Sequence, residues 1–201
     1  AAETMTEAED VYRPFKQKRK TRASVAAEKG LTPLADIIEE QNPDTDLNKA
    51  ALEFVNEEKG VADINSAIAG ASDIIAERIS DNAELRKTLR AKTLETGEIY
   101  CKLLESEKAK TYDMYDNYSE KISKMPSHRI LAVNRGEKEE CLKVSVVVDT
   151  ENFILSAASL FVKNSSACGE IVKNAVKDAY ERLIFPSVER EVRSQMTEKA
   201  S

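Results

Sequence analysis

Six basic side chains stand close together near the start of a chain whose overall charge is negative. They are Arg13, Lys16, Lys18, Arg19, Lys20 and Arg22, whereas the whole chain carries a formal net charge of -6. So dense a group of cations in an acidic chain predicts contact with a polyanion, and nucleic acid is the first candidate. Tyr12 and Phe15 flank the group, and Pro14 interrupts any helix through it. We therefore predict an extended basic segment with stacking groups beside the charges.

The same cations have a second interpretation, as solvated surface or as charges neutralised by acidic helices of the fold. The two interpretations differ in whether residues 13–22 lie free or are covered by carboxylates. Contacts from Lys and Arg to phosphates would make affinity depend strongly on salt. Such contacts would position a nucleic acid without reading its bases.

His128 is the single histidine of the chain, and it stands beside Arg129 after Ser127. Its side chain is open to three interpretations: a phosphate contact, a general base or a packed structural group. Neighbouring residues of an extended segment point to opposite faces, which is a poor arrangement for a serine–histidine pair. A nucleic-acid contact here would add four residues to the predicted surface: His128, Arg129, Arg135 and Lys138.

The sequence offers no further pattern for catalysis, a metal or a cofactor. Carboxylates occur at helical spacings among lysines and arginines, as they do on solvated helix faces. Two-metal nucleases need converging acidic residues, and phosphate-binding loops need a glycine-rich turn after a strand; neither pattern is found. Cys101, Cys141 and Cys168 are odd in number and far apart, without a Cys-x-x-Cys pair. We predict no catalytic residues, no metal, no cofactor and no enzyme activity.

Composition favours a helical, soluble protein. The chain is 41% hydrophobic and 33% charged, with only six glycines and five prolines. No apolar run approaches the about 18 residues that would span a membrane, and residues 1–10 lack the plan of a signal peptide. The cysteine usage fits the cytoplasm. Because both ends of the chain fall within helical patterns, we expect it to be a piece of a longer protein.

Hydrophobic periodicity predicts a mainly α, multihelical fold with one small β-hairpin insertion at about residues 129–148. Helical stripes run through residues 31–38, 47–55, 64–79, 83–94 and 171–183, and Asp63 and Gly60 supply boundary signals. The β-rich runs 129–133 and 142–148 flank a turn containing Gly136, which is the basis for the hairpin. Residues 97–105 fit either a strand or a helix. Tyr112, Tyr115 and Tyr118 can share a helix face, where packing is the more common role than base stacking.

Several segments together resemble the bacterial Tex (toxin expression) transcription accessory proteins. They occur in the family's order: residues 11–23 (VYRPFKQKRKTRA), 27–35 (AEKGLTPLA), 69–86 (AGASDIIAERISDNAELR), 126–142 (PSHRILAVNRGEKEECL) and 178–193 (DAYERLIFPSVEREVR). The resemblance covers nearly the whole chain. Together with the residue pattern, it predicts a multihelical region of 1–125 with the basic segment within residues 11–23, a hairpin insertion at 126–150 and a helical segment at 151–201. The resemblance alone implies that a YqgF-type domain follows residue 201.

The resemblance also implies function and partners. Tex proteins are cytoplasmic, nucleic-acid-binding proteins that act in transcription, and their main RNA-binding module is a C-terminal OB-fold domain that this sequence does not contain. We expect a helical scaffold that contributes to RNA or DNA binding through the cations named above. The alternative is a protein-interaction scaffold for RNA polymerase or for the other Tex domains, without direct nucleic-acid contact. No membrane partner is expected.

Overall fold

The computed structural model describes residues 4–16 and 19–201, and most of these residues are helical. The α-helices, in chain order, are α1 (Met5–Tyr12), α2 (Arg22–Glu28), α3 (Thr32–Glu40), α4 (Leu47–Leu52), α5 (Ile64–Ser80), α6 (Ala83–Thr96), α7 (Ser127–Lys138), α8 (Thr150–Phe161), α9 (Ala167–Asp178) and α10 (Phe185–Ala200). The strands are β1 (Glu98–Leu103), β2 (Tyr118–Lys121) and β3 (Leu142–Val147). Short 3-10 helices lie at Arg13–Phe15, Glu57–Lys59, Ala109–Tyr115 and Ile122–Lys124, and a π-helical stretch at Ala179–Ile184 follows α9. A mainly α fold with a small β element is therefore confirmed.

The described residues divide into two compact units, each built from two stretches of chain. The helical unit comprises the residues up to Arg86 together with Glu151–Phe185. The sheet unit comprises Lys87–Thr150 together with Pro186–Ser201. Each unit therefore joins residues that are far apart in sequence.

Helix α5 is the centre of the helical unit, and α2, α3, α4 and α9 pack against it. Its start is fixed by Asp63, whose side chain accepts a hydrogen bond from the Ser66 amide at 2.7 Å. Its predicted apolar stripe is buried, with Ala67, Ala71 and Ile75 each 1% exposed or less. Burial of such a stripe is the main driving force for holding an amphipathic helix in place.

Gly70 lets α2 come close to α5. A Cβ atom at this position would lie 2.3 Å from Leu31 Cδ1 and 3.3 Å from Ala26 Cβ. The space beside Gly70 is therefore filled by Leu31 and Ala26.

The sheet unit contains a three-stranded antiparallel sheet in the order β2-β1-β3. Strand β1 is central, and Ile99 pairs with Glu120 on one side and Val146 on the other. The amide of Val146 donates a hydrogen bond to Glu189 Oε1 of α10 at 2.9 Å. This bond satisfies a backbone donor on the outer edge of β3, where an unpaired edge would otherwise attract another strand.

The predicted hairpin at residues 129–148 is wrong in its first half. Residues 129–133 belong to α7, and only the second run forms a strand, β3, whose partner is β1. A short apolar run can form a strand or a buried helix segment, and Ile130 and Val133, which are three residues apart, share one helix face and are both buried in α7. Tertiary packing decides between the two.

Gly136 has a different role from the turn predicted for it. It lies inside α7, where a Cβ atom would be 2.6 Å from Leu142 Cδ1 and 3.0 Å from Tyr112 Cδ1. It therefore allows close packing of α7 against β3. The tyrosines do not share one α-helix face: Tyr112 and Tyr115 are buried in a 3-10 helix, whereas Tyr118 lies in β2.

Candidate nucleic-acid interface

The basic segment, residues 13–22, connects α1 to α2 in the helical unit. The backbone at its start is not extended as predicted, because Arg13, Pro14 and Phe15 form a 3-10 helix directly after α1. Proline is well suited to the first turn of a helix, where its missing N–H has no partner to lose. The backbone becomes extended at Lys16. Lys18 lies outside the described residues.

The end of the basic segment is fixed by the start of α2. Thr21 and Ser24 form a capping box, in which the Ser24 amide donates to Thr21 Oγ1 at 3.1 Å and the Thr21 amide donates to Ser24 Oγ at 2.8 Å. Reciprocal bonds of this kind satisfy backbone donors that the helix leaves free. Arg22 is therefore held at the first position of α2.

Most cations of the basic segment face solvent. Lys16, Arg19, Lys20 and Arg22 are exposed. Among the residues that the structure describes, none of these four forms an ion pair with a carboxylate. Arg13 differs, because it is half-buried and its Nε atom is enclosed.

The aromatic side chains beside the cations are also open to solvent. Tyr12 is 60% exposed and Phe15 is 79% exposed. Exposed apolar side chains that lie together beside a charge cluster are typical of an interaction surface. Their faces are available for stacking on a base or on another ring.

A groove adjoins the basic segment, between α2 and α5. We call this 550 Å³ cavity the basic groove, and it is lined by Lys20, Thr21, Arg22, Val25, Ala26, Lys29, Leu31, Gly60, Val61, Ser66, Ala69, Gly70 and Asp73. Lys59 reaches the same region, since its Nζ lies 3.8 Å from the Cβ position of Gly30. Neither Lys29 nor Lys59 was predicted to contact nucleic acid. Each directly precedes a glycine that ends a helix, Gly30 or Gly60, and this is the one sequence pattern that could have indicated their position.

The other predicted contacts lie on α7, in the sheet unit. We call His128, Arg129, Arg135 and Lys138 the α7 set. His128, Arg135 and Lys138 are exposed, and their spacing of seven and three residues places them on one side of the helix. They are available for contact with an anion.

Arg129 forms hydrogen bonds within the sheet unit. Its Nη1 donates to Tyr118 Oη at 3.0 Å and to both oxygens of the Glu120 carboxylate at 3.1 Å, and its guanidinium carbon lies 5.9 Å from the centre of the Tyr118 ring. The hydrogen bonds to Glu120 raise the pKa of Arg129. A phosphate would have to compete with this carboxylate, so Arg129 is the weakest candidate of the α7 set.

The hydroxyl of Tyr118 is expected to lose its proton at a much higher pH than the hydroxyl of an ordinary tyrosine. Its hydroxyl donates to Glu120, and burial followed by this carboxylate raises its pKa from 10.0 to about 12. The folded state therefore keeps a proton that the unfolded state loses, so this stabilising contribution is complete below pH 10.0 and disappears as the pH rises through about 12. A pH titration of tyrosinate absorbance checks the pKa, and urea unfolding across the same window checks the linkage.

The matched variants are Tyr118→Phe and Tyr100→Phe. Tyr118→Phe should remove one tyrosine with a raised pKa. Its free energy of unfolding should then fall less steeply between pH 10.0 and about 12. Tyr100 lies on the neighbouring strand and donates instead to the neutral amide of Asn117, at 2.8 Å. A late ionisation that persists unchanged in Tyr118→Phe would contradict the assignment.

Comparison with known proteins identifies the family to which the chain belongs. A family model described as Tex central region-like matches residues 42–201. The chain belongs to the Tex family. It is 43% identical over 200 residues to the "Uncharacterized protein YdcI" of Bacillus subtilis, covering 98% of this chain and 28% of that protein. It is 32% identical over 209 residues to the "Transcriptional accessory protein Tex" of Neisseria gonorrhoeae, covering 100% of this chain and 27% of that protein.

A more distant relative is human. The "S1 RNA-binding domain-containing protein 1" of Homo sapiens is 26% identical over 214 residues, covering 98% of this chain and 21% of the human protein. In all three relatives the chain spans less than a third of the length of the protein it matches. The described features therefore belong to one part of a Tex protein.

The Tex assignment does not depend on the basic segment. The family model begins at residue 42, so it takes in the α7 set but starts after Arg22. The alignment with the Bacillus subtilis relative covers 98% of the chain, which is enough to include the basic segment. The family and the predicted contact surface thus rest on separate observations.

The described part of the chain lacks two kinds of feature. No helix there is both long and apolar enough to cross a membrane. No group of three or more His, Cys, Asp or Glu side chains is placed there to hold a metal ion.

Proposed function

We propose that this part of the Tex protein contacts the phosphate backbone of RNA or DNA during bacterial transcription, and that the basic segment makes the contact. It acts in the cytoplasm, without catalytic residues or a cofactor of its own. Phosphate neutralisation by Lys and Arg positions a strand but does not select its sequence. In this role the chain would hold nucleic acid for the rest of the Tex protein.

One observation carries the proposal: the described cations of the basic segment other than Arg13 are exposed, and none of them forms an ion pair with a described carboxylate, although Arg22 lies near enough to Asp73 to lower the pKa of that group. Had the segment served to neutralise acidic helices, Lys16, Arg19, Lys20 and Arg22 would be covered by Asp or Glu. Ordinary folds place opposite charges near one another, so an unneutralised cluster in a chain of net charge -6 favours a partner that is itself negative. The exposed Tyr12 and Phe15 add stacking surface beside it.

The relatives support the same direction. One carries "transcriptional accessory protein" in its name, and another carries "S1 RNA-binding domain". These names describe proteins at least three times as long as the segment matched here. We extend to this chain only an association with nucleic acid in transcription, and the α7 set is a secondary contact in the proposal.

Salt dependence is the test of the proposed function. Labelled single-stranded RNA and duplex DNA are titrated with the 201-residue chain and followed by fluorescence anisotropy at about 50 and about 200 mM salt. Four phosphate contacts from Lys16, Arg19, Lys20 and Arg22 would weaken binding to the single strand by about 50-fold over this range. An affinity that does not change with salt would contradict a phosphate contact.

Charge-reversal variants locate the contact. Arg19→Glu/Lys20→Glu should weaken binding by about tenfold or more and reduce the salt dependence by about two phosphate contacts. Lys173→Glu/Lys177→Glu is the matched control, since both lysines are exposed on α9 and the change in net charge is the same. Equal losses in the two variants would indicate a general charge effect. No binding at low salt would favour the protein-interaction scaffold.

A further inference from the structure

The basic groove gathers cations from three separate parts of the helical unit. Lys20 of the basic segment lines it, together with Arg22 and Lys29 at the two ends of α2. Lys59, at the end of the 3-10 helix Glu57–Lys59, adjoins it: the next residue, Gly60, is a lining residue, and Lys59 Nζ lies 3.8 Å from the Cβ position of Gly30. Their convergence cannot be read from the sequence, because Lys59 is 30 residues away from Lys29. The fold therefore builds a cationic surface larger than the basic segment itself.

Two glycines bring Lys29 and Lys59 together. Gly30 and Gly60 both have left-handed backbones, with φ of 81° and 79°. Lys29 lies across Gly60, with its Cε 3.4 Å and its Nζ 3.7 Å from the Cβ position there, and Lys59 approaches Gly30 in the same manner. These are ordinary van der Waals distances, so the positive φ values, which L side chains rarely adopt, and not a lack of space are what favour glycine at positions 30 and 60.

One described carboxylate lines the basic groove, and it lies between Arg182 and the groove cation Arg22 in electrostatic terms. Asp73 is the one acidic side chain among the described residues that line it. Its nearest cation is Arg182, at 3.9 Å, and burial raises the pKa of Asp73, an effect that Arg182 and Arg22 oppose. In the described part of the chain, neither Lys29 nor Lys59 forms an ion pair.

We propose that the basic groove is a phosphate-binding site, in which Lys29 and Lys59 join Lys20 and Arg22 around one phosphate group. A concave surface lined by one sign of charge focuses its field and concentrates counter-ions of the opposite sign. The inference rests on the proposed function, because it takes the phosphate to be a phosphodiester of the strand that the basic segment holds. Lys20 and Arg22 belong to both surfaces, so the strand passes from the basic segment into the groove.

The test uses residues that the basic segment does not contain. Lys29→Glu/Lys59→Glu should weaken binding of labelled single-stranded RNA by about tenfold and lower the salt slope by about 0.7, the equivalent of the one phosphate group that the groove holds. The Lys173→Glu/Lys177→Glu control should bind as the unchanged chain does. Circular dichroism and urea unfolding show whether each variant is folded.

A second measurement needs no variant. In amide NMR spectra of the unchanged chain, the resonances of Gly30 and Gly60 should shift on addition of the RNA. Pyrophosphate is titrated in a separate arm to distinguish a free phosphate compound from a phosphodiester. Shifts with both probes support the proposal, and shifts with pyrophosphate alone support a phosphate site that nucleic acid does not enter.

The outcomes separate the inference from the proposed function. If Arg19→Glu/Lys20→Glu loses RNA affinity while Lys29→Glu/Lys59→Glu does not, the proposed function stands and the groove is not part of the path. If RNA does not bind but pyrophosphate shifts Gly30 and Gly60, the proposed function fails and the phosphate site stands. Absence of shifts with either probe overturns the site.

Discussion

Replacing Gly169 by alanine is expected to lower the free energy of unfolding of the helical unit by about 3 kcal/mol. Gly169 is the third residue of α9, and its amide donates to the side chain of the N-cap Ser166 at 3.1 Å. A Cβ atom would lie 2.1 Å from the backbone oxygen of Asn164 and 3.0 Å from its Oδ1. Real Cβ atoms do not approach backbone oxygens so closely, so the α8–α9 connection or the start of α9 must move.

Neither movement is easy, because Asn164 is anchored. Its Nδ2 donates to the backbone oxygen of Gln41 at 2.7 Å, and its Oδ1 accepts from the Ser166 amide at 3.0 Å. Gln41 is itself 3% exposed, and its side chain bonds to the backbone of Phe161 and Lys163, each at 2.8 Å. Displacing Asn164 would break buried hydrogen bonds, each of which costs free energy when a polar group is left without a partner.

Urea unfolding of Gly169→Ala measures the effect. Helix propensity alone would make alanine more stable than glycine by about 1 kcal/mol, so the sign of the result separates the clash from propensity. Asn174→Ala, at an exposed position of the same helix, is the control and should be neutral or slightly stabilising. A Gly169→Ala protein at least as stable as the unchanged chain would show that the connection can yield.

Helices with a long, regular apolar stripe were predictable from the sequence. The α5 stripe, its Asp63 cap and the buried series Val188, Val192 and Met196 of α10 all follow from local spacing. Each of these features depends on residues within a few turns of one helix, so distant residues have little influence on whether the helix forms. The amphipathic α3 was predicted for the same reason.

The sheet was only partly predictable, because its pairing is long-range. β3 pairs with β1, about 40 residues earlier, and not with the adjacent run at 129–133. β2 (Tyr118–Lys121) has no apolar alternation, so no local pattern marks it as a strand. Strand propensity depends on the neighbours that a strand finds, which the sequence alone does not name.

In the candidate site, too, the local features could be predicted from the sequence and the long-range ones could not. The exposure of Lys16, Arg19 and Lys20 is what a local cluster of cations suggests, and it stays the basis of the proposed function. The engagement of Arg129 with Tyr118 and Glu120 depends on β2 lying beside α7, and the convergence of Lys29 with Lys59 depends on two left-handed glycines. Charge clusters contiguous in sequence can be predicted, whereas those assembled by the fold need the structure.

Removing the Glu191 carboxylate is expected to lower the free energy of unfolding of the sheet unit by about 3 kcal/mol. Glu191 Oε2 accepts from Arg90 Nε at 2.8 Å, and Glu191 Oε1 accepts from Ser187 Oγ at 3.0 Å. Arg90 is 8% exposed, so its guanidinium has little access to water. Glu191→Gln keeps the shape of the side chain but removes a negative charge that is paired with a largely buried cation.

The same helix supplies a matched control for this pair. Ser194 and Glu198 repeat the serine–glutamate hydrogen bond at the same four-residue spacing, at 3.2 Å, but both are exposed. Glu198→Gln should therefore change the free energy of unfolding by no more than about 0.5 kcal/mol. Because the serine hydrogen bond and its spacing are shared, the contrast between the two variants reports the combined effect of burial and of the ion pair with Arg90.

A double-mutant cycle decides whether the cost of Glu191→Gln comes from its ion pair with Arg90. With Arg90→Met as the second substitution, the double variant should be destabilised by less than the sum of the two single variants, since the interaction between Glu191 and Arg90 is then lost only once. Urea unfolding of the four proteins at neutral pH provides the comparison. Strictly additive losses would mean that Glu191 acts through Ser187 and packing, and the ion pair would then contribute little to holding α6 against α10.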